Sequence, residues 1–241
     1  YALLFPCSVE KLMFWGAFSS YKDFSRAKQK YEAFVLSSIA SISEQYLSLK
    51  KTNPELAYLF MQWAAGEFYS YEGRVKNIPE MIEKIYALNY ENKVEEAKKL
   101  VSYPKEVMPW MMRSIACGEI FDNKSHFSNE FQLFGDMFNY CEEYGDIKEL
   151  FDYSNLLYQI TVPTFLYSNF FDHVTPYESM VKMAQKIPNS YFYLDKDSGH
   201  GVDKPECFIK FIGGFFRGFA INELDNIAYS RACLEAPGLK F

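Results

Sequence analysis

The sequence predicts an α/β fold, in which a mostly parallel sheet flanked by helices is interrupted by a large helical insertion. Two short runs rich in apolar and aromatic residues, 162–168 and 191–194, have the length and composition of buried strands. The stretch between them has room for one helix, and a strand, helix, strand order favours parallel strands. Residues from about 23 to 150 carry helical periodicity instead.

The first 22 residues are assigned to the region that contains the sheet. Residues 1–16 are typical of the end of a helix, a turn at Pro6 and a strand over residues 9–15.

Residues 23–150 form the predicted helical insertion, because apolar residues recur there at intervals of three and four. A first long amphipathic helix is predicted to end near Lys51. Its apolar face comprises Ala27, Tyr31, Phe34, Val35, Ile39, Ile42 and Tyr46. Pro54 starts a second helix, Ile78 and Pro79 a third, and Val94 a fourth, short one. We interpret all four apolar faces as core packing.

Two ionisable side chains follow the two predicted strands of the C-terminal region, residues 151–241. Asp172 comes shortly after the first strand and its turn-prone residues Ser168 and Asn169, and His200 follows the second strand and a turn-rich segment. In open α/β sheets reactive groups gather outside the carboxyl ends of the strands, so we expect both residues at one edge. An acid and a base are two of the three members of a catalytic triad.

The chain has three histidines that are candidates for the base. His126 lies in a polar stretch and is interpreted as a solvated loop residue, and His173 as a structural or surface residue beside Asp172. A loop histidine between two glycines is the alternative interpretation of His200, since glycine gives any tight turn its freedom. The carboxylate after the preceding strand favours the catalytic interpretation of His200.

The segments VPTFLYSNFFDHVTP (162–176) and LDKDSGHG (194–201), followed by Cys207, resemble the C-terminal end of the α/β-hydrolase fold. More narrowly, they look like the prolyl and tripeptidyl aminopeptidase group of serine peptidases. The resemblance implies that the chain is the C-terminal half of such a fold, with residues 23–150 as a helical cap over the active site. Residues 1–22 then contain the end of the helix that leaves the nucleophile and the next strand of the sheet. The resemblance also implies that Asp172 and His200 are the triad acid and base.

The nucleophile of that triad is missing, because no Gly-x-Ser-x-Gly occurs in the 241 residues. The resemblance places it upstream of Tyr1, so we expect the N-terminal portion of the same hydrolase to be a partner of this chain. A genuine chain start is the alternative.

The resemblance implies acyl transfer from a peptide substrate through an acyl-enzyme, with release of N-terminal residues. Recognition of a free α-ammonium calls for a partly buried carboxylate. Glu119 is our first choice and Glu67 a weaker one, the alternative for both being a solvated or helix-capping glutamate. Aromatic residues of the cap are candidates for a substrate pocket, although most are expected to serve packing: Trp63, Phe68, Tyr69, Tyr71 and Trp110.

Two other functions are compatible with the same features. An esterase is one, because fold and triad do not fix the substrate. A non-catalytic relative that has lost the serine, and whose aromatic cap serves as a binding surface, is the other. The sequence immediately upstream separates the catalytic functions from the non-catalytic one.

Composition excludes several other classes of protein. A net charge of −6 without a basic run makes nucleic acid an unsuitable partner. No apolar run approaches the 18 residues of a membrane span. Glycine-rich phosphate loops and metal-ligand spacings are missing as well, so the sequence predicts no cofactor and no metal.

The chain has five cysteines, an odd number, so at least one is free or pairs outside the chain. Cys7 is our candidate. Resemblance to exported members of the tripeptidyl group implies the pairs Cys207–Cys233 and Cys117–Cys141, and hence a secreted, periplasmic or lysosome-like oxidising compartment. Buried free thiols in a cytoplasmic protein are the alternative.

Overall fold

A computed structural model describes residues 2–17, 31–102 and 153–234. The chain divides into two compact units. Residues 1–24 and 151–241 make up the first, which contains the sheet, and residues 25–150 the second.

Three parallel strands form the sheet of the first unit, in the order β1 (Leu12–Trp15), β2 (Thr164–Asn169) and β3 (Ser190–Asp195). Thr164 pairs with Leu12 on one side and with Ser190 on the other, so the three strands run in step. The parallel sheet that the sequence predicts is confirmed. The observed β1 begins three residues later than the predicted strand, at Leu12 rather than at residue 9.

Helices cover both faces of this sheet. One face packs on helix α7 (Pro205–Arg217), through a core that includes Phe165, Tyr167, Phe211 and Phe215. The opposite face packs on helix α6 (Tyr177–Lys186), and Leu166, Met180, Met183 and Ile187 are buried there. Neighbouring residues of a strand point to opposite faces, which explains how one strand supplies both cores. The predicted α/β fold is therefore confirmed.

Helices α6 and α7 begin where prolines allow them to. Pro176 precedes the first residue of α6, and Pro205 is the first residue of α7, a position at which the missing N–H costs no hydrogen bond. α7 ends at Gly218, whose φ of 113° is the left-handed conformation of a helix C-terminus. Cys207 is the third residue of α7, and two short helices follow, α8 (Leu224–Ala228) and α9 (Arg231–Leu234).

The N-terminal segment differs from its prediction. Residues 2–4 form a turn, and a short 3-10 helix spans Pro6–Ser8. The turn at Pro6 agrees with the prediction, whereas the expected end of a helix is absent from residues 2–5. A 3-10 helix is used in short pieces of this kind, and proline is accommodated in its first turn.

The described part of the second unit consists of helices. The structure has α1 (Tyr31–Ser38), α2 (Ser43–Thr52), α3 (Pro54–Glu67), α4 (Ile78–Tyr90) and α5 (Val94–Val101), with a 3-10 turn at Ala40–Ile42 and a π turn at Gly73–Asn77. The starts predicted for α3, α4 and α5 are confirmed. Asn53 caps α3, because its side chain accepts a hydrogen bond from Leu56 N at 3.2 Å.

The prediction of a single long helix that ends near Lys51 is wrong. The helix is interrupted at Ile39, whose φ of −127° and ψ of 72° are not helical. The Ser43 hydroxyl donates to Leu36 O at 3.3 Å and so satisfies a carbonyl at the end of α1. Serines near the break favour helix ends over helix interiors, and a periodicity count does not register that preference.

Candidate active site

Asp172 lies on a tight turn directly after β2. Its N–H donates to Asn169 O at 3.2 Å, and its carboxylate is buried. Oδ1 accepts hydrogen bonds from Val174 N at 2.9 Å and Thr175 N at 2.7 Å, and Oδ2 accepts from the Thr175 hydroxyl at 2.5 Å. Three donors from two residues, Val174 and Thr175, therefore fix the carboxylate.

The carboxyl end of β1 approaches this turn closely. Gly16 has φ of 55°, and a β-carbon placed on it would lie 3.0 Å from Thr175 Oγ1 and 3.9 Å from Asp172 Oδ2. Glycine is needed here both for the left-handed backbone and for the space. The end of the first strand thus leaves room for the acid turn of the second.

His200 meets Asp172 through its Nδ1 atom. Nδ1 lies 3.0 Å from Asp172 Oδ1 and 3.1 Å from Oδ2. The side chain of His200 is 32% exposed and that of Asp172 only 2%, so the acid is enclosed while the ring reaches the surface of this unit. The structure brings together the two residues that the sequence predicts to lie at one edge of the sheet.

The loop between β3 and α7 carries His200, and contacts from β2 and from the turn after it hold its backbone. Phe170 N donates to Asp195 O at 2.8 Å and Phe171 N to Ser198 O at 3.1 Å. The buried Asn169 side chain donates through Nδ2 to two carbonyls of the loop, Gly199 O at 2.6 Å and Gly201 O at 2.8 Å.

A second carboxylate, Asp195, anchors the start of this loop. It is fully buried, and its Oδ2 accepts hydrogen bonds from the Tyr167 hydroxyl at 3.0 Å and from Ser198 Oγ at 2.8 Å. Burial, together with the charge of Asp195, raises the pKa of the Tyr167 phenol well above its usual range. Tyr167 therefore stays protonated and remains a donor to Asp195.

Lys204 connects the end of the loop with the C-terminal helices. Its buried ammonium lies 3.8 Å from Asp195 Oδ1 and donates to Asp197 Oδ2 at 2.6 Å. It also donates to Cys233 O at 2.9 Å. The disulfide between Cys233 and Cys207 links α9 covalently to α7. The Cys233 carbonyl is thereby held beside Lys204.

The disulfide Cys207–Cys233 agrees with the pairing that the resemblance implies, and Cys7 is free and exposed as expected. The other pair, Cys117–Cys141, lies outside the described residues. So do His126, Glu119 and Trp110.

The structure also describes several of the other residues considered in the sequence analysis. His173 is buried, at 4% exposure. Glu67 is the last residue of α3, and its Oε2 accepts a hydrogen bond from Asn77 Nδ2 at 2.7 Å, so part of this carboxylate is engaged within its own unit. Phe68 is fully buried, whereas Tyr69 is 38% exposed.

Sequence reasoning missed most of the residues that support the pair. Thr175 carried a signal, since aspartate followed three residues later by threonine ahead of a helix is typical of a side chain that binds the backbone of its own turn. Asp195 likewise lies in a turn-rich Asp-Lys-Asp-Ser segment. The carbonyls that Asn169 binds, and the Cys233 carbonyl that Lys204 binds, are distant in sequence, so no local pattern indicates these contacts.

Two absences hold within the part of the chain that the structure describes. No group of three histidine, cysteine or carboxylate side chains there is placed to hold a metal ion. Across residues 2–17, 31–102 and 153–234, no helix is both long and apolar enough to cross a membrane.

The structure is similar to two solved hydrolases. One is MGS-M2, an α/β hydrolase enzyme from a Medee basin deep-sea metagenome library, at 13% identity and a TM-score of 0.39 over 90% of this chain and 59% of that one. Another is an α/β fold family hydrolase from Bacillus anthracis str. Sterne, at 20% identity and a TM-score of 0.34 over 93% and 61%. The chain thus spans about three fifths of the length of these structures. No family model and no curated protein matches the sequence.

Proposed function

We propose that this chain is the acid- and histidine-bearing part of a serine hydrolase with an α/β-hydrolase fold. One observation carries the proposal: Nδ1 of the partly exposed His200 lies 3.0 Å from Oδ1 of the enclosed Asp172. Both residues follow parallel strands at the same edge of the sheet. That is the arrangement in which an acid orients an imidazole for proton transfer.

Each residue has a distinct role in this reaction. With Nδ1–H donating to Asp172, the imidazole holds its proton on Nδ1, which leaves Nε2 as the base toward a serine hydroxyl. Asp172 then stabilises the imidazolium that forms. The serine is to come from a Gly-x-Ser-x-Gly segment on a preceding portion of the same hydrolase, since the 241 residues contain none.

Within the serine hydrolases we propose an aminopeptidase that releases N-terminal residues from peptides. The sequence resemblance of residues 162–176 and 194–201 supports this choice. Glu119 is the proposed partner of the substrate α-ammonium, and residues 23–150 are the proposed cap that selects substrates. The Cys207–Cys233 disulfide supports an oxidising compartment for the protein.

A fluorophosphonate probe on the intact protein tests the first proposal. Covalent labelling that is lost in Asp172→Ala and in His200→Ala supports a serine hydrolase. The exposed Glu178, six residues along the chain from the acid, supplies a control, and Glu178→Gln should label like the wild type. Absence of labelling in the wild-type protein overturns the proposal in favour of a non-catalytic relative.

A panel of aminoacyl-arylamides and aryl esters tests the substrate. Cleavage of free amino termini and not of acetylated ones supports an aminopeptidase, and Glu119→Gln should then raise KM for arylamides far more than for esters. Equal cleavage of free and blocked substrates, or hydrolysis of esters alone, sinks the aminopeptidase proposal.

A further inference from the structure

The side chain of Asn169 binds the backbone of the segment between β3 and α7 that carries His200, the histidine loop. It is fully buried, and Nδ2 donates to Gly199 O at 2.6 Å and to Gly201 O at 2.8 Å. Both neighbours are carbonyl acceptors, so the amide nitrogen and not the oxygen must face them. Oδ1 accepts no hydrogen bond from the residues that the structure describes.

The two carbonyls that Asn169 binds lie on either side of His200. Glycines there leave the backbone free to turn, so the loop sequence itself does not fix the direction of the imidazole. Two hydrogen bonds from one rigid amide restrain the residues before and after the histidine together. They restrain the position from which the ring reaches Asp172.

The main chain of Asn169 acts on the acid at the same time. Its carbonyl accepts the hydrogen bond from Asp172 N at 3.2 Å that closes the acid turn. One residue at the end of β2 therefore fixes the acid turn through its backbone and the histidine loop through its side chain.

We propose that Asn169 is a positioning residue that sets the orientation of His200 against Asp172. Its role in the proposal is to hold Gly199 and Gly201, and through them the imidazole. The inference rests on the proposed function for its effect on turnover, but its structural part, the geometry of the acid and histidine pair, does not depend on any activity.

Replacement of Asn169 by aspartate tests this role on the intact protein. Asn169→Asp keeps the shape of the side chain but sets carboxylate oxygens against two carbonyls, and Asn169→Ala removes the donors without adding charge. Displacement of a catalytic group by about 1 Å costs on the order of 100-fold in rate, so we expect a fall in kcat of that size with KM changed less than about twofold.

Proton NMR separates positioning from plain stability. A histidine Nδ1–H held by a carboxylate gives a low-field resonance, which can be assigned to His200 by its loss in His200→Gln. We expect this resonance to disappear in both Asn169 variants while circular dichroism and the Cys207–Cys233 disulfide show that they are folded. Ser168→Ala is the matched control, because Ser168 is buried beside Asn169 and its hydroxyl has no hydrogen-bond partner among the described residues.

Retention of the low-field resonance and of wild-type kcat in folded Asn169 variants would overturn the proposal, even if they melt at a lower temperature. Should neither variant fold, solvent exchange of the Asn169 amide protons in the wild-type protein decides: slow exchange supports the two bonds and rapid exchange refutes them. If the intact protein hydrolyses no substrate of the panel, the proposed function fails while the NMR result still decides the role of Asn169.

Discussion

The acid turn and the histidine loop stand side by side at the edge of the sheet, yet they are held in different ways. Within its own turn, Asp172 receives hydrogen bonds from Val174 and Thr175, two and three residues further along the chain. The loop that carries His200 has local bonds too, but it also depends on Asn169 from the preceding strand and, through Lys204, on Cys233 near the C-terminal end. The acid turn is thus held by local sequence, whereas the histidine loop needs tertiary contacts as well.

Removal of the charge of Asp172 should have the largest effect on turnover. In Asp172→Asn the amide can donate to His200 Nδ1 and shift the imidazole to the wrong tautomer, and the imidazolium loses its counter-charge. We expect kcat to fall about 10⁴-fold with the fold intact. Steady-state kinetics of the intact protein measure this, and a fall below tenfold would contradict the assigned role.

Removal of the ammonium that closes the histidine loop should cost stability. Lys204→Met leaves the buried Asp195 without its nearby cation, and breaking such a pair destabilises by about 3–5 kcal/mol. The free energy of unfolding is measured by urea titration. Lys210→Met, at an exposed position of α7, is the control and should stay within about 0.5 kcal/mol of the wild type. A similar loss in both variants would show that the buried contacts of Lys204 are not the cause.

Removal of the Thr175 hydroxyl should destabilise the turn that holds Asp172. Thr175→Val removes the donor to Asp172 Oδ2 from a buried carboxylate, and we expect a loss of about 1–3 kcal/mol in the free energy of unfolding. Thr175→Ser keeps the hydroxyl and is the matched variant. Equal destabilisation by valine and serine would assign the effect to packing of the methyl group instead.

Substitution of two glycines by alanine should give the smallest changes in the free energy of unfolding, and the two changes should have opposite signs. Gly16→Ala introduces a side chain at positive φ against Thr175, so we expect a loss of about 1–2 kcal/mol. Gly213 lies inside α7 with nothing within 4 Å of an added β-carbon, and Gly213→Ala should stabilise by about 0.5–1 kcal/mol. Thermal melting of both variants checks the signs, and a Gly16→Ala variant as stable as the wild type would show that the positive φ and the close approach to Thr175 cost nothing.

The same difference explains how much of the site could be predicted from the sequence. The strands around 162–168 and 191–194 and the acid between them are local patterns, and sequence reasoning found them together with His200. Asn169 was noted only as a turn residue and Lys204 not at all, because Gly199 and Gly201 on one side and Cys233 on the other lie about 30 residues away in the chain. Such contacts depend on how the strands pair, which a local pattern does not contain.

In the helical unit, too, local patterns located some helix boundaries and missed others. Periodicity located the helices that start at Pro54, Ile78 and Val94, where proline or a change of pattern marks each beginning. It merged α1 and α2 into one helix, since the apolar spacing continues through Ile39 although the backbone does not. Where polar side chains bind the backbone, as Ser43 does, they can end a helix without changing the apolar pattern.

The contact between Lys204 and the carbonyl of Cys233 has a consequence for the order of assembly. During synthesis every residue that binds the Asp172 carboxylate within its own turn has been added to the chain by Thr175. The last anchor of the histidine loop is added almost sixty residues later, at Cys233. A nascent chain can therefore complete its acid turn early, whereas the contact between Lys204 and the Cys233 carbonyl can form only after the C-terminal helices have been added.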